Sequence, residues 1–167
     1  MAAPKRLIHA PGSYFVSSRT WQGHRIFLND QVARIFVEAL LEYRGQNRYF
    51  LHGFVVMPEH FHVILTPAGD LTLERAVQFI KGGSARKIGE QRGLRFPVWQ
   101  KGFTDHRIRD YDDYVAHLSY IEQNPVKRGL ASSPEEYKWS SAARKFTLDG
   151  VPQRLKPLGM AAAVRHG

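Results

Sequence analysis

The sequence predicts an α+β domain: an antiparallel four-stranded sheet carrying two helices, followed by a third helix. Two kinds of periodicity and their order predict it. Runs rich in β-branched and aromatic residues recur at Tyr14–Ser18, Tyr49–Val56, His60–Thr66 and Phe103–Arg109. Apolar residues at helical spacing recur between and after them. The resulting order is strand, helix, strand, strand, helix, strand, helix. Its first six elements match the βαββαβ unit of ferredoxin-like folds, with helices on one sheet face and a bare face for a ligand.

Residues 1–12 read as a loose basic start, with Pro4, Pro11 and Gly12. After the first strand, Val32, Ile35, Phe36, Ala39, Leu40 and Tyr43 form one helical stripe, capped by Asn29 or Asp30 and closed by Gly45. Pro58-Glu59 makes a tight turn between the second and third strands. Leu73, Ala76, Val77 and Ile80 mark the second helix, which Gly82-Gly83 weakens or interrupts. From Lys81 to Arg95 only Glu90 offsets Lys81, Arg86, Lys87, Arg92 and Arg95, which suggests a phosphate-binding flap. Trp99 and Phe103 read as core residues. The third helix starts from Asp112 or Asp113 and runs to about Gln123, because Pro125 disfavours helical geometry at Asn124. A last helical turn is expected within Glu136–Phe146, around Trp139. This divides the chain into a domain of residues 1–146 and a loosely docked tail of 147–167.

The 167 residues suit one domain with a real core, and 43% are hydrophobic. A net charge of +9 and a pI of about 10.0 favour a polyanionic partner. The chain has no cysteine, which excludes disulfides, thiolate metal sites and cysteine nucleophiles. The first residues lack the apolar core of a signal peptide, and no run approaches a membrane span of about 20 residues. A cytoplasmic protein is expected.

His60-Phe61-His62 places two imidazoles on one face of a strand. Alone, the pair could be two half-buried histidines. Tyr120 lies about 140° from the centre of its helix's apolar stripe of Tyr114, Val115, Leu118 and Ile121, so it leaves that helix's core face. His117 at i−3 and Asn124 at i+4 share its side. Two imidazoles and an amide oxygen suit Mg²⁺ or Mn²⁺ with open water positions. Such an ion polarises a phosphate, and a tyrosine hydroxyl beside it can attack phosphorus, with His117 as a possible acid or base.

These stretches carry a resemblance. His60-Phe61-His62 resembles the His-hydrophobic-His motif of HUH single-strand endonucleases. Pro58-Glu59-His60-Phe61-His62, Trp99-Gln100 and Tyr120-Ile121-(x)₂-Asn124-Pro125-Val126-Lys127-Arg128-Gly129-Leu130 resemble single-tyrosine transposases, most of all the REP-associated branch. The likeness runs from about Tyr14 to Phe146. It implies a ferredoxin-like sheet, His60, His62 and Asn124 as ligands to Mg²⁺ or Mn²⁺, and Tyr120 as nucleophile. It further implies DNA transposition, in which single-stranded hairpin DNA is cut and joined through a 5′-phosphotyrosine link. Lys81, Arg86, Lys87, Lys127 and Arg128 are the expected DNA contacts. A monomer is favoured over a homodimer that exchanges the tyrosine helix.

Two other readings compete. One is a module that holds DNA hairpins without cutting them. The other is a small metal hydrolase built on His60-x-His62, disfavoured because no His-Glu-x-x-His helix accompanies the pair. Only the enzyme reading needs His60, His62, Tyr120 and Asn124 together.

Overall fold

The computed structural model describes residues 12–157. The expected loose start therefore lies almost wholly outside the described residues, as does the chain beyond 157. The elements are β1 (Tyr14–Arg19), α1 (Asp30–Gly45), β2 (Tyr49–Met57), β3 (His60–Pro67), α2 (Leu73–Arg92), β4 (Thr104–Arg107) and α3 (Tyr111–Lys127), with short 3₁₀ turns between and after them. The sheet order is β2-β3-β1-β4 and every neighbouring pair is antiparallel. This is the α+β arrangement that the element order predicts.

Alternation along the strands separates two cores. Val16, Phe54, Val56, Phe61, Val63 and Leu65 face α1 and α2 in the larger one. Val55, Met57 and Ile64 face the other way and meet Tyr114 and Ile121 of α3. The second sheet face is therefore not bare. The third helix lies on it, close enough to β2 that a Cβ on Gly53 would meet Leu118 Cδ1 at 2.7 Å. The end of that face around His60 stays open as a cleft.

Local chemistry explains the element ends. Asn29 caps α1, its side chain accepting from the backbone N–H groups of Gln31 and Val32. The helix ends at Gly45 as expected, but the left-handed residue is Asn47, at φ 61°. Thr72 caps α2, which runs unbroken through Gly82-Gly83 to a left-handed Gly93 at φ 64°. Gly83 is a packing notch: an added Cβ would stand 2.2 Å from Tyr43 Oη. Asp110, rather than Asp112 or Asp113, caps α3 by accepting from Asp113 N–H.

Pro125 does not end α3 either. It is buried inside the last turn, where the missing donor removes only one bond. The turn closes through Arg128 N–H to Asn124 O and Leu130 N–H to Pro125 O. Val115 is 43% exposed and lies outside the helix's buried stripe, whereas Tyr114 and Ile121 are buried. Trp99 is buried and Phe103 half-buried, both packed with the larger core.

In place of one helical turn, Pro134–Glu136 and Ser141–Ala143 form two 3₁₀ turns around Trp139, whose indole N–H donates to Asp30. The chain after Thr147 is tied down where it is described. Asp149 accepts two bonds from Arg44 and one from Leu51 N–H, and Gly150 O meets His52 Nδ1. Hydrogen bonds to α1 and to the edge strand β2 outweigh the loop-like composition there.

Candidate active site

The Pro58-Glu59 turn delivers His60 and His62 onto the α3 side of β3. Their Nε2 atoms are 3.1 Å apart and their ring centroids 4.7 Å apart. Glu59 Oε1 lies 2.9 Å from His60 Nδ1. A carboxylate only accepts, so His60 carries its proton on Nδ1 and presents a lone pair at Nε2. Ser17 Oγ, on the neighbouring strand, shares a hydrogen bond with His62 Nδ1. Both outer ring nitrogens are thus fixed, and the inner two converge.

Burial lowers the His62 pKa to about 3, with His60 as a further cause. Burial also lowers that of His60, against the opposing pull of Glu59. Both rings are therefore neutral at pH 7, the form that binds a cation. Glu59 itself is pushed up by burial, yet the hydrogen bonds from Arg128 and His60 hold it below the usual carboxylate range. Arg128 Nη1 reaches Glu59 Oε1 at 2.7 Å and Nη2 reaches Oε2 at 3.5 Å.

The tyrosine helix faces this pair. Tyr120 is 46% exposed, and its ring centroid is 5.3 Å from that of His62. Phe15 of β1 joins the two: it stacks on His62 at 5.2 Å and meets Tyr120 edge-on at 5.8 Å and His117 at 4.9 Å. His117 is held by Asp113, through both the carboxylate (3.1 Å) and the backbone carbonyl (2.9 Å). Asn124, one turn beyond Tyr120, is buried and is not among the residues lining the cleft. The cleft has a volume of about 880 Å³, with His60, His62, Ser17, Glu59, Gln100 and Tyr120 among its walls.

A second cavity, of about 790 Å³, lies toward the other end of the sheet, between Phe50, His52 and residues 149–156. Its histidine is already engaged at both ring nitrogens, by Gly150 O and Thr66 Oγ1, and so offers no free ligand.

The five expected DNA-contacting cations are placed unequally. Lys127 is exposed at the end of α3. Arg86 is 61% exposed and loosely paired with Glu90 at 3.7 Å. Lys81 instead donates to the backbone carbonyls of Gln100 and Gly102, and burial lowers its pKa. Lys87 bonds to Glu42 above the Tyr43 ring, and Arg128 serves Glu59. Sequence reasoning missed Ser17, Phe15 and the Glu59–Arg128 pair as parts of the site. Glu59 had one signal, its place beside His60; the others have partners too distant in sequence to infer.

An antiparallel sheet with a converging histidine pair, faced by a tyrosine on a following helix, is the arrangement that the resemblance to tyrosine transposases implies. Residues 19–124 match the family of IS200-like transposases, and the chain belongs to that family. It is 28% identical over 158 residues to the REP-associated tyrosine transposase of Escherichia coli (strain K12), an alignment covering 90% of each chain. A solved structure of the REP-associated tyrosine transposase bound to a REP hairpin superposes with a TM-score of 0.70 at 27% identity, covering 94% of this chain and 89% of that one. The resemblance read from the motifs thus extends over the whole fold. No helix among the described residues is long and apolar enough to cross a membrane.

Proposed function

We propose that this cleft cuts and rejoins single-stranded DNA beside a hairpin, with Tyr120 as the nucleophile. The observation that carries the reading is the pair of neutral imidazoles, Nε2 atoms 3.1 Å apart, set beside an exposed tyrosine ring. Adjacent ligands on an octahedral ion with bonds of 2.0–2.1 Å stand about 3 Å apart, so this spacing fits a shared Mg²⁺ or Mn²⁺. His60 and His62 would hold it; Asn124, the expected third donor, does not line the cleft as it stands and would have to turn toward it. When bound, the ion supplies polarisation of the scissile phosphate and offsets charge on its oxygens.

The protein's own groups do the rest. Glu59 holds His60 in one tautomer and orientation, and Ser17 holds the orientation of the His62 ring. Phe15 fixes the distance between the Tyr120 ring and His62. The Tyr120 oxygen attacks phosphorus, a bond from tyrosine to the 5′ phosphate forms, and the bond to the 3′ oxygen breaks. The departing strand end takes a proton and leaves as a 3′ hydroxyl. A phenol with an ordinary pKa of about 10 needs help to lose its proton at neutral pH. His117, held by Asp113 one turn before Tyr120, is the acceptor in this reading. Strand joining is the reverse: a 3′ hydroxyl attacks the phosphotyrosine and Tyr120 recovers its proton.

The hairpin assignment rests on the solved relative bound to a REP hairpin and on this chain's net charge of +9. Arg86 and Lys127 are the cations best placed to meet phosphates, while Lys81, Lys87 and Arg128 act mainly by shaping the surface. The acting unit is a monomer, since Tyr120 and both histidines line one cleft of a single chain.

The test is incubation with a pool of hairpin-flanked single-stranded DNA and Mn²⁺, followed by mass spectrometry of the trapped peptide. A DNA remnant on Tyr120, formed only with the ion, supports the reading. A remnant on another residue, or hairpin binding with no adduct under any divalent ion, overturns it and favours a binding module.

A further inference from the structure

A second set of metal-binding side chains lies outside the cleft, where β4 meets the first turns of α3. His106 is on β4, and Asp113 and His117 stand one turn apart on the helix. His106 Nε2 is 2.8 Å from Asp113 Oδ2, and His117 Nδ1 is 3.1 Å from Asp113 Oδ1. The imidazoles lie nearly parallel, with centroids 4.5 Å apart and planes 16° apart. One donor atom from each of the three residues lies within 4.8 Å of the other two. We propose that His106, Asp113 and His117 form a second divalent-metal site, separate from the His60–His62 pair and suited to a borderline transition ion such as Zn²⁺.

The donor set points to that class of ion. Two imidazoles and one carboxylate form a three-ligand zinc site with the fourth position left to water. Bonds of 2.0–2.1 Å hold tetrahedral ligand atoms about 3.4 Å apart, so the widest spacing, within 4.8 Å, need close by at most about 1.4 Å while the two contacts to Asp113 open slightly. The His106 and His117 side chains are 39% and 25% exposed, which leaves room for that movement and for entry. Mg²⁺ prefers oxygen ligands and an octahedral shell and is a poor match. Nitrogen-rich sites favour the later first-row ions.

The bookkeeping of protons and charges is local. Without an ion, each imidazole holds a proton against the Asp113 carboxylate, and His117 Nδ1 also meets the Asp113 carbonyl. On binding, each neutral ring keeps its single proton on its other nitrogen. Arg109 opposes the ion, with Nε 3.5 Å from Asp113 Oδ2, but its side chain is 76% exposed and can turn to water. Its backbone N–H stays on Oδ2 at 2.9 Å and orients the carboxylate as an outer-shell partner does. An ion here would clamp β4 to the helix that bears Tyr120, and it would leave the His117 proton on Nε2, so His117 serves as the Tyr120 proton acceptor only in the ion-free state.

The experiment uses tag-free, chelator-stripped full chain titrated with Zn²⁺, and with Co²⁺ as a visible reporter of four-coordinate geometry. The His60→Ala, His62→Ala double variant should still take up one equivalent of either ion, with strong visible Co²⁺ bands and a rise in Tm. Adding His106→Gln, at a side chain that carries no core packing, should abolish both the uptake and the bands while the circular dichroism stays unchanged. If His106→Gln perturbs the fold, His117→Gln in the same background gives the same readout. No stoichiometric uptake by the double variant, or uptake that survives loss of either histidine, overturns the site. A failure here leaves the Tyr120 reading untouched, because adduct formation with Mn²⁺ is measured independently.

Discussion

Replacing Glu59 with Gln tests the device that presents the histidine pair. The carboxylate accepts from His60 Nδ1 at 2.9 Å and from Arg128 Nη1 at 2.7 Å through the same oxygen. Its side chain is only 13% exposed. Glutamine keeps one acceptor oxygen but without the charge, and it puts N–H₂ where Oε2 stood, against Arg128 Nη2, so both hydrogen bonds weaken. Hydrogen bonds to a charged group contribute about 1.5–3 kcal/mol. The Arg128 arm is 41% exposed and solvent-screened, which reduces its share to about 1 kcal/mol. The fold should therefore survive, with Tm lower by roughly 2–4 °C. The larger effect is on the ion. Losing the group that orients a ligating histidine typically weakens metal affinity or activity by about 10–100-fold. The assay is the Mn²⁺ concentration giving half-maximal DNA adduct, for wild type, Glu59→Gln and Arg128→Ala. Arg128→Ala leaves Glu59 on His60 and should shift that concentration much less. Equal shifts for the two variants, or none for Glu59→Gln, would refute the assignment of Glu59 as the residue that positions His60.

Tyr120→Phe removes one oxygen from a ring that is 46% exposed, so folding and hairpin binding should match wild type while the covalent adduct vanishes. Retained adduct would move the nucleophile to another residue, Tyr111 or Tyr114 being nearest on the helix. Lys127→Ala and Arg86→Ala should each flatten the slope of log affinity against log salt by about 0.7, as for one lost single-strand phosphate contact. Lys81→Ala should instead lower Tm, since its ammonium holds the carbonyls of Gln100 and Gly102; a salt slope changed as much as for Lys127→Ala would contradict this. Gly83→Ala pushes a methyl to 2.2 Å from Tyr43 Oη and should cost about 1–3 kcal/mol by overpacking, read as a lower Tm in thermal melts. An unchanged Tm would mean that the two helices part without strain.

How much could be read in advance follows from what periodicity encodes. A strand's alternation fixes on which side of that strand each residue stands, so His60 and His62 had to share a face and Phe61 had to oppose them. A helix's 100° step likewise placed Tyr120 off the apolar stripe. Turn and cap chemistry is also local, and Pro58-Glu59 and Asn29 did what their types predict. The order of elements was enough to indicate the sheet.

What periodicity does not encode is which other element meets a face. Glu59 and Arg128 are 69 residues apart, and Ser17 and His62 are 45 apart; only sheet pairing and the docking of α3 join them. The same docking covered the face expected to be bare, because Val55, Met57 and Ile64 needed apolar partners, which Tyr114, Leu118 and Ile121 of α3 supply together with Ile108 and Tyr137. It also let α3 run through Pro125, whose buried ring and closed final turn outweigh one missing donor. Charge count alone could not separate Lys127, left in solvent, from Lys81, drawn onto two backbone carbonyls. His106 drew no attention in the sequence and Asp113 only as a candidate helix cap, since neither forms a metal-binding motif with its neighbours. They meet His117 only because the edge strand lies against the first turns of the tyrosine helix.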